Sequence, residues 1–217
     1  MGWFGRFVNS SIGKKFIMGL TGSLLIIYLI IHLAGNLSLY GGEKAFNSYA
    51  GILEIIKPLI RIIEVILALV FIFHIYNGVR LWIENKIANP KNYAVNARSK
   101  ESSIFARTMI QSASIIFIFL VVHLDTIWYP YNTTADMNLY KLVTGLFKDP
   151  VYSWFYVFAM VLLGFHLNHG FQSAFQTFGW NHKKYFPLIQ KIGTIYSILT
   201  AAGFASLPIY FLYFFGR

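Results

Sequence analysis

Long apolar runs, each followed by a polar stretch, recur five times along the chain, at about 16–39, 59–83, 109–130, 151–178 and 192–214. A helix needs about 20 apolar residues to cross roughly 30 Å of hydrocarbon, and every run reaches that length. None alternates apolar and polar positions as a barrel strand does. Backbone in lipid must satisfy its hydrogen bonds internally, so the pattern predicts helices. Pro208 falls inside the last run, where a membrane helix tolerates it as a kink. The expected fold is all-α: a single membrane domain over residues 1–217 with five spanning helices.

Composition agrees. The chain is 57% hydrophobic and 12% charged, about half the charged share of an ordinary soluble domain. Its 18% aromatic content suits a protein with Trp and Tyr at two membrane interfaces. There is no cysteine, which excludes disulfides, thiolate-held iron–sulfur clusters and covalent C-x-x-C-H haem attachment within this chain. The start, MGWFGRFVNSSIGKK, has no apolar core followed by a small-residue cleavage site, so no cleaved signal peptide is expected.

Charge sets the expected direction. Placed by the five spans, one side holds Arg6, Lys14, Lys15, Arg80, Lys86, Lys91, Arg98, Lys100, Arg107, Lys183, Lys184 and Lys191 against only Glu84 and Glu101. The other side balances Lys44, Lys57, Arg61, Lys141, Lys148 and Arg217 with Glu43, Glu54, Glu64, Asp125, Asp136 and Asp149. The positive-inside rule then puts the N-terminus in the cytoplasm and the C-terminus outside. The basic face reflects topology and contact with anionic membrane lipid, not nucleic-acid binding, and it could also dock a soluble partner.

Five of the six histidines fall inside predicted spans: His32, His74, His123, His166 and His169. His182 lies in an inner loop. An imidazole in a membrane is costly and marks function more readily than packing. His32, His74, His123 and His166 each lie about 14–16 residues into their own spans, roughly 21–24 Å along a helix. Because helices alternate in direction, His32 and His123 share an outer level while His74 and His166 share an inner one. The two levels are about 15 Å apart in a core of roughly 30 Å.

Two imidazoles per level suit the axial positions of a haem, whose other four ligands are porphyrin nitrogens. A zinc ion would want three or four converging protein ligands. Small residues near these positions (Gly19, Gly22, Ala34, Gly35, Gly78, Gly164, Gly170) are consistent with a macrocycle between helices, and equally with close helix packing. The segments His74-Ile-Tyr-Asn77-Gly78 and His166-Leu-Asn-His169-Gly170 share the form H-x-x-[N/H]-G. The shared histidine is the first, so His166 is the expected ligand. His169 is then a polar group near a propionate, a quinone or a water chain. Gly78 and Gly170, four residues on, share the ligand's helix face.

With these residues in place, the chain resembles the cytochrome b membrane-anchor subunits of succinate dehydrogenase and fumarate reductase, in their single-chain, five-helix, di-haem form. The matching pieces are HLAGNL at 32–37, FHIYNGVRL at 73–81, VVHLDTIWY at 121–129 and FHLNHGFQSAFQTFG at 165–179. The resemblance implies two haem b groups among the first four helices, with the fifth peripheral to the ligands. His32 and His123 would hold the outer iron, and His74 and His166 the inner one. It also implies a flavoprotein and an iron–sulfur subunit docked on the cytoplasmic side of a bacterial inner membrane, where they carry out the dicarboxylate chemistry. The basic stretch ENKIANPKNYAVNARSKES is a candidate docking surface.

Electrons are expected to pass between the iron–sulfur partner and a membrane quinone, with menaquinone the expected type, making this the quinone-reacting subunit. A quinone near the outer haem needs proton-exchanging groups, and Asp125, Glu54, Glu64 and Asn36 are available there, with Trp128 and Tyr129 as ring contacts. Of these, Asp125 is preferred. On the inner side Arg80 could neutralise a propionate, or reach the lipid headgroups. The rival readings are a stand-alone transmembrane di-haem cytochrome b, a haem-free transporter with a histidine proton relay, and a passive anchor. A relay would favour histidines staggered along one path, whereas four of these fall into two levels. Co-purifying flavin and iron–sulfur proteins separate the anchor subunit from the stand-alone carrier, and a colourless protein would favour the haem-free readings.

Overall fold

The computed structural model describes residues 2–88 and 108–215. Those residues are helical almost throughout, contain no strand, and include five helices long and apolar enough to cross a membrane. After the short α1 (Trp3–Asn9), the Ser10 hydroxyl accepts a 2.9 Å hydrogen bond from the Gly13 amide and caps α2 (Ser11–Leu37). A 3-10 turn over Ser38–Gly41 leads to α3 (Gly42–Ile55), which starts on Gly42 at φ 81°, a left-handed value that favours glycine. α4 (Lys57–Ala88) runs back. α5 (Met109–His123) continues through a π-helical turn, Leu124–Trp128, into α6 (Tyr129–Thr133). α7 (Leu139–Leu146) is capped by Asn138, and α8 (Pro150–Thr177) by Asp149, with Pro150 in its first turn. α9 (Phe186–Tyr213) carries Pro208 in its interior.

α8 is the central strut. It packs along α9, α2 and α5, while α2 also packs on α4. Burial is inverted relative to a soluble bundle, as a lipid solvent requires. α4 exposes Ile62, Val65, Ile66, Leu69, Ile72 and Phe73 and buries only Asn77. Helix contacts are built on small and hydroxyl residues such as Thr21, Ser153, Ser197 and Thr200, which let backbones approach closely. One apolar cluster (Leu39, Phe46, Tyr140, Val143, Phe147, Tyr156, Leu207, Phe211) closes the end of the bundle remote from the N-terminus, termed the far end. A second, around Ala159, Met160, Leu163 and Leu167, fills the middle. At the near end Lys14 is buried against the Glu84 carboxylate. Arg80 donates to Glu84 at 3.1 Å and to Asn9 at 3.0 Å, the second bond tying α4 to the end of α1.

The five expected spans are present with shifted ends: α4 extends to Ala88, α9 starts at Phe186, and the third span is interrupted by a π turn after His123. Two connections at the far end are themselves helical, α3 and α7, and pack on each other. Asn138 donates to Glu43 at 2.7 Å across that contact, and Asn47 donates to Asn138 at 3.1 Å. α9 packs along the bundle, and its Tyr196 hydroxyl donates to the Ile26 carbonyl of α2 at 3.0 Å. Most of the basic stretch proposed as a docking surface, with Lys91 and Lys100, lies outside the described residues.

Candidate functional site

Four helices bring the four matched histidines into two pairs. The rings of His32 on α2 and His123 on α5 have centres 5.9 Å apart and lie at 87° to each other. Those of His74 on α4 and His166 on α8 are 6.3 Å apart at 70°. The near pair is levelled by Thr21, whose Oγ1 is 3.2 Å from His74 Nδ1. Thr21 precedes His32 by 11 positions on α2, about 16 Å at 1.5 Å per residue. Two pairs, stacked along one bundle and separated by that rise, is the arrangement the span arithmetic anticipates.

The spacing within each pair fits an iron held between two rings. An imidazole nitrogen binds such a metal at about 2 Å, with the ring centre about 1 Å behind it, so trapped rings have centres about 6 Å apart. Among the described residues no group of three or more His, Asp or Glu side chains is placed to hold a metal ion alone. Each pair offers two nitrogen donors.

Hydrogen bonding shows which nitrogen is free to bind. Thr21 Oγ1 donates to the Ile17 carbonyl at 2.8 Å, with Met18 O also in reach at 3.2 Å. With that proton on the carbonyl, Oγ1 accepts from His74 Nδ1–H. That leaves the His74 Nε2 lone pair bare. In the far pair, His123 Nδ1 lies 2.6 Å from the Tyr156 hydroxyl. His32 stacks on Tyr28, with ring centres 5.3 Å apart, and meets Phe204 of α9 at 5.6 Å. His166 Nδ1 is buried and has no hydrogen-bond partner among the described residues, a costly state for a polar atom unless something else occupies it.

Glycine makes room at the near pair. A Cβ at Gly22 would lie 3.3 Å from His74 Cε1, so glycine lets the ring sit against α2 without being pushed back. Gly170 faces open space, a Cβ there meeting nothing within 4 Å, whereas Gly78 abuts Met18. The other small residues serve helix packing: Gly19 against Phe178, Gly35 beneath Tyr49 and Gly164 against Ala201.

The remaining expected site residues divide. Asp125, Trp128 and Tyr129 line one cavity of about 320 Å³ together with Val121 and Leu124, in and beside the π turn. Glu64 instead pairs with Arg61 at 2.7 Å and accepts from Trp128 Nε1 at 3.0 Å, and Glu54 pairs with Lys57 at 2.8 Å. Asn36 donates to the His32 carbonyl at 2.8 Å. Arg80 is held by Glu84 and Asn9. His169 is half-buried, without a hydrogen bond among the described residues, and at the aligned position of α4 Asn77 bonds its own helix at Phe73 O. Sequence reasoning missed Thr21, Tyr156, Tyr152 and Phe204. The i, i+4 phenols Tyr152 and Tyr156 inside a span were the available signal.

Five membrane-competent helices, with one histidine of each pair on α2 or α4, are the setting for the comparison with known families. Residues 16–110 match the succinate dehydrogenase/fumarate reductase transmembrane subunit family. The matched stretch carries His32 and His74, one member of each pair, and bears out the resemblance read from HLAGNL and FHIYNGVRL. His123 and His166 lie beyond it, on helices that the fold brings opposite them. No curated protein and no solved structure gives a significant match. The family is that of the membrane subunits of these complexes, and five membrane-competent helices accord with it.

Proposed function

We propose that the chain is the membrane anchor and electron-transfer subunit of a succinate:quinone oxidoreductase, with two b haems held by His32 with His123 and by His74 with His166. The observation that carries this reading is the pairing itself: ring centres 5.9 and 6.3 Å apart, close to the separation that one iron imposes. When bound, each haem supplies a one-electron carrier, so that two of them link an iron–sulfur partner at one membrane face to a quinone near the other. The chain's own contribution is placement. α2 and α4 set the level of each pair, Thr21 fixes the tautomer of His74, and the apolar clusters keep water from the interior.

The near end, with Lys14, Lys15, Lys183 and Lys184, is the cytoplasmic face, where a flavoprotein and an iron–sulfur subunit dock. The near pair is therefore the inner one and the far pair the outer one. A quinone, menaquinone in type, would meet the chain in the cavity of Asp125, Trp128 and Tyr129, whose carboxylate is exposed and forms no ion pair among the described residues. Glu54 and Glu64 are already ion-paired and serve this role less well.

The test is a dithionite-reduced spectrum with haem quantitation per chain, for which about two b-type haems are expected. His166→Ala should lose the inner haem and keep the outer one, whereas His169→Ala should keep both. The reverse result reassigns the ligand to His169. A purified protein with no haem removes the electron-carrier reading altogether, and co-purification of flavin and iron–sulfur subunits separates the anchor from a stand-alone cytochrome.

A further inference from the structure

The two pairs are not held alike. Each has one anchored imidazole, but the inner anchor is an aliphatic hydroxyl at 3.2 Å and the outer one is a phenol at 2.6 Å. Tyr156 is buried in the far cluster, its ring edge-on to Phe119 at 4.6 Å and to Phe147 at 5.2 Å. Its hydroxyl lies 3.3 Å from the Tyr152 hydroxyl. Tyr152 in turn is 2.7 Å from Thr126 Oγ1, which donates to the Val122 carbonyl one turn back, beside His123. Two helices thus fix the phenol oxygen in place, and the π turn that starts after His123 keeps Thr126 within reach of Tyr152.

We infer that Tyr156 is a positioning residue for the outer iron: it accepts the Nδ1–H of His123, fixes the tautomer that leaves Nε2 for the metal, and holds the outer haem's potential down. This rests on the di-haem reading above. A phenol oxygen has two acceptor sites, so one is available to the imidazole proton. An accepted Nδ1–H bond raises the basicity of the ligating nitrogen and favours the ferric state. His166 Nδ1 has no such partner among the described residues, so the inner pair lacks an equivalent on α8.

The experiment is a redox titration of the full chain in its complex, following both haems, for wild type, Tyr156→Phe and Tyr152→Phe. Phenylalanine keeps the ring contacts and removes only the acceptor. Losing one hydrogen bond of about 1 kcal/mol changes the ferric-to-ferrous ratio about fivefold. At 59 mV per tenfold this raises the outer midpoint by about 40 mV. The inner midpoint should stay put, and Tyr152→Phe should give a smaller shift of the same sign. A wild type without haem refutes the di-haem reading. Two haems in Tyr156→Phe with both midpoints unmoved overturns the role of Tyr156 alone. Should Tyr156→Phe not retain the outer haem, Tyr152→Phe decides: an upward outer shift supports the inference and an unmoved midpoint overturns it.

Discussion

Gly22 offers the sharpest perturbation of the near pair, because the distance that limits a side chain there is measured against the ring itself. A Cβ built on Gly22 would stand 3.3 Å from His74 Cε1 and 3.8 Å from Nδ1. Carbon atoms rest comfortably at about 3.5–4.0 Å, so alanine forces the ring back by a few tenths of an ångström. Ligand-to-metal distances are held to about 0.2 Å, which puts Gly22→Ala at the edge of what the site absorbs. Valine adds methyls reaching about 1.5 Å beyond Cβ, and no retreat of that size would keep Nε2 on the iron that the proposed di-haem reading has it share with His166. The neighbouring Thr21 would have to lose its contact with Nδ1 at the same time.

The expected series is therefore graded. Gly22→Ala should hold two haems with a shifted or weakened inner one. Gly22→Val should hold about one, with the outer spectrum and midpoint unchanged. Gly51→Ala on α3, where a Cβ meets nothing within 4 Å, serves as the control and should behave as wild type. The assay is haem per chain, with redox titration, on protein whose thermal unfolding remains cooperative. Gly22→Val with two haems and both midpoints unmoved would falsify the reasoning. So would loss of both haems from a protein as stable as wild type, since the pairs would then not be independent sites.

Two further outcomes follow from contacts described above. Thr21→Val keeps the shape of the side chain but removes the acceptor for His74 Nδ1, and should weaken retention of the inner haem by about 10–100-fold, with Thr21→Ser near wild type, as read by haem loss during dilution in detergent. Trp128→Phe removes the 3.0 Å bond to Glu64 that pins the π turn to α4. At this half-exposed site the loss is about 1 kcal/mol, lowering the midpoint of thermal unfolding by about 2–4 °C with both haems retained, and an unmoved midpoint would show that the bond holds nothing.

The five spans and the pairing of histidines were legible because both depend on quantities linear in sequence. Run length measures the bilayer, and position within a run measures depth once direction alternates. Rotation about each helix axis is not linear in that sense. The expectation that Glu64 or Glu54 might serve a quinone came from depth alone. Their partners, Arg61, Trp128 and Lys57, are set by which way α4 and the π turn face. Nor does run length register the π turn, which inserts a residue's worth of rotation directly after His123 and carries Asp125, Trp128 and Tyr129 onto one cavity. The helical caps α3 and α7 were missed because their apolar faces are too short to be read as spans, though each buries aromatic or aliphatic residues in the far cluster.

The hydroxyls separate function from packing more clearly than the histidines do. Most hydroxyls in the spans satisfy themselves on their own helix, as Ser23 does on Gly19 O, Ser114 on Ile110 O, Thr177 on Ser173 O and Ser197 on Gly193 O. Such a group has spent its proton, and in lipid it needs nothing more. Thr21 spends its proton in the same way on Ile17, yet its remaining lone pair faces an imidazole on another helix. A spent hydroxyl can only accept, so the imidazole it meets must be the donor, and a neutral imidazole that donates from Nδ1 offers a bare Nε2. A packing histidine has no need of an open Nε2. A metal-binding histidine requires it. The Thr21 contact is therefore compatible with the metal reading of the near pair, and it is an observation separate from family resemblance and ring spacing.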